Sequence, residues 1–65
     1  MDEDQKAALR AKLEGLRATV IKTGEDLTRV AILQGSPAED IQTIKENMSV
    51  QVAMIDRHLA SLADA

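Results

Sequence analysis

The side chain best suited to chemistry is His58, the single histidine, which could serve as a base, a ligand or a pH sensor. A base in covalent catalysis needs a nucleophile and an orienting third group, and a zinc site needs three or four ligands. Neither set is at hand: the chain has no cysteine and no second histidine, and no serine sits in a nucleophile elbow. His58 therefore reads as a flanking, partly solvated side chain. The neighbouring carboxylates Glu39 and Asp40 would suit a metal or acid–base pair, yet they fall in the first turn of an expected helix, where the helix dipole favours acids. Gly15 and Gly24 stand too far apart to cradle an anion together, and no strand precedes either. The expectation is no catalytic, metal-ligating or cofactor-binding residue, no cofactor, and no enzyme.

Composition narrows the classes further. The apolar set is Leu, Ile, Val, Met and Ala, with no aromatic residue at all, which is the vocabulary of helices packing on helices. Eight basic residues against eleven acidic ones give a net charge of -3. That balance argues against nucleic acid, because phosphate binding depends on Lys and Arg and single-strand binding also draws on stacking aromatics. No apolar run reaches the roughly 18 to 20 residues of a membrane span. The N-terminal Met1-Asp2-Glu3-Asp4 is acidic where a signal peptide would be basic, so no membrane is expected and a soluble, cytoplasmic protein is. A chain of this length buries only about 60% of the surface its unfolded form exposes. With disulfides and metal excluded as supports, very regular packing or self-association must supply the rest.

The elements follow from spacing. Leu9, Leu13, Leu16, Val20, Thr23, Leu27 and Val30 alternate in steps of four and three, a heptad seam with one polar member. They predict one long helix over about 4–34, started by Asp2 or Asp4. A break at Thr23-Gly24-Glu25-Asp26, giving three helices, is the alternative; Val20 and Leu27 stay in phase across it, which favours continuity. Gly35-Ser36-Pro37-Ala38-Glu39 then reads as a left-handed glycine cap, a serine N-cap, proline at the first helical position and glutamate at the third. The turn is placed at 35–36 and the second helix at about 37–63, on Ile41, Ile44, Met48, Val52, Ile55, Leu59 and Leu62, with one stutter. So short a connection makes the helices antiparallel neighbours. Leu27 should lie level with Ile44, Val20 with Val52, Leu16 with Ile55, and Thr23 should face Met48. Arg10 with Glu14, Lys22 with Asp26 and Glu25 with Arg29 are expected as surface pairs.

Some apolar residues do not fit these seams. At about 100° per residue, Ile21 and Ile32 fall well away from the first seam, and Val50 and Met54 opposite the second. Scattered exposed aliphatics are ordinary, but for a chain so short of core an interface is the stronger reading. Ile21, Ile32, Val50 and Met54 are therefore the candidate protein-interface residues. Two hairpins packed through them would form a twofold four-helix bundle.

The segment Gly35-Ser36-Pro37-Ala38-Glu39-Asp40-Ile41-Gln42, followed by a helix running to Leu62-Ala63-Asp64, resembles the YscE/PscE-type small co-chaperones of type III secretion needle subunits. The resemblance covers length, turn position and apolar spacing over about the last 30 residues, and departs from that family in having no aromatic residue in the second helix. It implies a hairpin that joins a second chaperone and keeps an aggregation-prone subunit in solution. Rop-type plasmid RNA-binding dimers and small nitrogen-fixation-associated hairpins look similar in outline, without a matching motif. A Rop-like protein would need a basic face; Arg10 and Arg17 share a side, among interspersed acids.

The fold expected is thus all-α, a single coiled-coil-like antiparallel two-helix hairpin spanning 1–65, completed to a four-helix bundle by dimerisation. The function expected is a non-catalytic protein–protein interaction module, a small helical adaptor or co-chaperone acting through an apolar helix face. Its partner would be a second copy (a homodimer) or another helical protein. A Rop-like RNA-binding four-helix-bundle dimer is the alternative.

Overall fold

The computed structural model describes residues 2–64. Two helices, α1 (Glu3–Leu33) and α2 (Ala38–Asp64), lie antiparallel in a rod whose Cα atoms span 49 × 15 × 9 Å. No helix among the described residues is long and apolar enough to cross a membrane.

α1 begins at a capping box. The Asp2 carboxylate accepts from the Gln5 backbone N–H at 2.8 Å, and the Gln5 side chain accepts from the Asp2 N–H at 3.4 Å. Two donors that the helix leaves unpaired are satisfied in this way. From there α1 runs unbroken through both Gly15 and Gly24, so the three-helix alternative does not occur. Each glycine carbonyl takes an extra hydrogen bond from a threonine one turn on. Thr19 donates to Gly15 O at 3.0 Å and Thr28 to Gly24 O at 2.8 Å.

The turn closes as a Schellman motif. Gly35 takes a φ of 71°, a left-handed conformation open to glycine at little cost. Its N–H donates to Ile32 O at 3.1 Å and that of Ser36 to Ala31 O at 2.9 Å, pairing the last carbonyls of α1. α2 then starts one residue later than the spacing predicts. The Pro37 carbonyl accepts the first helical bonds, from Asp40 at 3.0 Å and Ile41 at 3.3 Å. Pro37 therefore occupies the capping position expected of Ser36, and Ser36 serves the end of α1.

The register between the helices agrees with expectation, but the face α1 presents does not. Leu27 shares a groove with Ile44, and Leu16 shares one with Ile55, so the levels match. Yet the residue against Met48 is Gly24 rather than Thr23. A Cβ built on Gly24 would lie 2.9 Å from Met48 Cγ and 3.2 Å from its Cβ, and would collide with its sulfur. α1 is turned by a little less than one residue step of about 100° relative to its heptad seam. The α1 residues least open to solvent are Lys6, Leu13, Arg17, Val20, Ile21, Gly24, Thr28 and Ala31. Small residues at Gly24 and Ala31 let the backbones approach closely, and that contact displaces the larger leucines to one side.

Ala31 and Ile55 are the buried apolar residues among those described, each 7% exposed, and no side chain is fully enclosed. On α2 the expected stripe faces inward, from Ile41 through Ile55 to Leu62.

Candidate protein interface

The rotation of α1 makes the two long sides of the hairpin chemically different. Along the front, the grooves between the helices are lined by Leu13, Leu16, Thr19, Val20, Thr23 and Leu27 of α1. The α2 contributions are Ile44, Asn47, Gln51, Met54 and His58. Among the described residues, no Asp, Glu, Lys or Arg lines these front grooves. Along the back, the grooves include Glu25, Arg29, Lys45 and Asp56. These two grooves thus carry no charge, while Lys12 lines a further groove beside Leu9, and depletion of charge is the compositional mark of an interface core.

Five large apolar side chains of the front stay in contact with water, and Ile32, Leu33 and Val50 outside its grooves are more exposed still. Leu9 is 38% exposed, Leu16 50%, Leu27 52%, Val30 48% and, on α2, Met54 45%. At helical spacing Leu9, Leu16, Leu27 and Val30 form one stripe along α1. These are the heptad positions expected to face α2; instead they border it and look outward.

The four residues expected from the sequence as interface candidates are not brought together. Met54 borders the front groove beside Leu13, Leu16 and His58. Ile21 is half-buried on the back, in a groove with Met48, Val52, Ala53 and Asp56. Val50 and Ile32 are exposed and line none of these grooves between the helices. Heptad spacing does not reveal the α1 stripe, because it assigns those leucines to the internal seam. The signal that does reveal it is the series Arg17, Gly24, Ala31, seven residues apart, which marks a close-approach face beside the leucines.

The back is closed by an ion pair between the helices. Arg17 Nε donates to Asp56 Oδ1 at 2.8 Å and Nη2 to Oδ2 at 3.5 Å, a forked geometry that guanidinium and carboxylate share. The hydrogen bond from Arg17 to Asp56, with the carboxylate's charge, pushes the Arg17 pKa up, so the guanidinium keeps its proton throughout. Elsewhere Arg29 lies 3.8 Å from Asp26 and Lys6 3.7 Å from Glu3. Arg29 is therefore drawn to Asp26 at three residues' spacing, where Glu25 was expected.

His58 Nδ1 lies 2.8 Å from the Met54 carbonyl, which ties the ring to its own helix beside the front groove that the residue lines. Among the described residues no three His, Asp or Glu side chains converge as a metal site would require. No protein-family model, curated protein or solved structure matches this chain.

Proposed function

We propose that this chain is a non-catalytic protein–protein interaction module, a small helical adaptor that acts through an apolar helix face and is completed by pairing into a four-helix bundle. The observation that carries the reading is the incomplete core. Two apolar side chains, Ile55 and Ala31, are buried and neither fully, while five large ones stand 38–52% exposed along one side. A chain of this size has little core to spare, so a second helical surface over that side is what makes it stable. In a co-chaperone, the helix of a foreign subunit would lie on the same side. RNA binding is the weaker reading, because Arg17, one of its two aligned cations, is already engaged by Asp56.

Thermal unfolding followed by circular dichroism at several protein concentrations tests this. The midpoint should rise with concentration, since association stabilises the folded state by mass action. Weak helicity at every concentration would point to a foreign partner. A fully helical chain with one concentration-independent midpoint would remove the ground for the proposal.

A further inference from the structure

We infer that the occupant of the front side is a second copy of this chain. Its α1 lies antiparallel against α1 of the first copy, across a twofold axis at the level of Val20, with the two turns at opposite ends. The inference rests on reading the chain as an interaction module and adds to it the surface, the partner and the arrangement.

The area fits a dimer. A compact folded monomer of this mass exposes about 4,000 Å², whereas this chain exposes 4866 Å². The excess, roughly 800 Å², is what one partner contributes to a standard-sized stable interface.

The arrangement follows from which helix carries the apolar surface. Two hairpins placed front to front have two twofold choices. With the turns at the same end, α1 of each copy lies over α2 of the other. With the turns at opposite ends, α1 lies over α1 and α2 over α2. The large exposed apolar side chains of the front are four on α1, Leu9, Leu16, Leu27 and Val30, beside Thr19 and Thr23, against one on α2, Met54, beside Asn47, Gln51 and His58. The first choice sets leucines against amides and imidazole, leaving polar groups to be desolvated without partners. The second sets leucines against leucines and brings Gln51 close to its own counterpart near the axis. The α1 stripe is also centred close to Val20, so a twofold there brings Leu9 level with Val30 of the second copy and Leu13 level with its Leu27.

The chain has no cysteine, so one introduced cysteine is a unique labelling point. Leu33 is 80% exposed at the end of α1, outside the proposed contact and thirteen residues from Val20. At 1.5 Å rise per residue, nitroxides on Leu33→Cys in the full chain should lie about 40 Å apart by pulsed dipolar spectroscopy. A separation below about 25 Å would overturn this arrangement, and the interaction-module reading would stand. Absence of dipolar coupling up to millimolar concentration would overturn the second copy as occupant. The adaptor reading then depends on the unfolding midpoints alone. The pair Leu16→Glu and Leu27→Glu should also reduce association at least tenfold, and Ile32→Glu should leave it within twofold.

Discussion

Gly15 and Gly24 show how one residue type does two jobs in one helix. A Cβ at Gly15 meets nothing within 4 Å, whereas at Gly24 it meets Met48 from sulfur to Cβ. Gly15→Ala should therefore stabilise the fold by about 0.5–1 kcal/mol, the helix-propensity difference. Gly24→Ala gains the same propensity, and rotating Met48 relieves the contacts with its sulfur and Cγ but leaves its Cβ at 3.2 Å, so the backbones must give by a few tenths of an ångström. Overpacking of this kind costs about 1–3 kcal/mol, so the net change should be destabilising. Thermal or urea unfolding of the two variants side by side gives opposite signs if this holds. A stabilised Gly24→Ala would mean that the close approach at Met48 is not required.

At the scale of the helices, the turn was the most legible feature of the sequence. Gly35 needs its left-handed φ and Pro37 cannot continue α1, so the chain has few options between Leu33 and Ala38. Both helices and their relative level could also be read, since the large apolar residues set the levels on which the helices meet. The rotation of α1 about its own axis could not. Heptad counting weighs large side chains, whereas the tightest contact is made by Gly24 and Ala31, which such counting passes over. That is why Leu16 and Leu27 were expected inside and are found at the border, and why Ile21 and Met54 fall on different sides. The Arg17–Asp56 pair lies on the side opposite the leucines and helps hold this rotation. Both partners are substantially exposed, so its contribution is small and screened by salt. Arg17→Gln should lower the unfolding midpoint slightly at low ionic strength, with the difference vanishing near 1 M salt. A deficit that persists at high salt would assign Arg17 a packing role through its aliphatic stem.

For the molecule as a whole, the uneven distribution of charge and leucine matters more than any single contact. A rod with charged residues in its back grooves and half-exposed leucines bordering two uncharged front grooves is what the proposed pairing into a bundle requires. The most direct test is sedimentation equilibrium of two glutamate variants, one on each candidate surface. Leu27 belongs to the α1 stripe, and Val50 lies on the outward side of α2 with 60% of its surface exposed. Leu27→Glu should sediment as a monomer, or lose at least tenfold in association, while Val50→Glu remains as associated as the parent chain. If Val50→Glu dissociates and Leu27→Glu does not, the interface lies on the outer face of α2 and the α1 leucines do not form it.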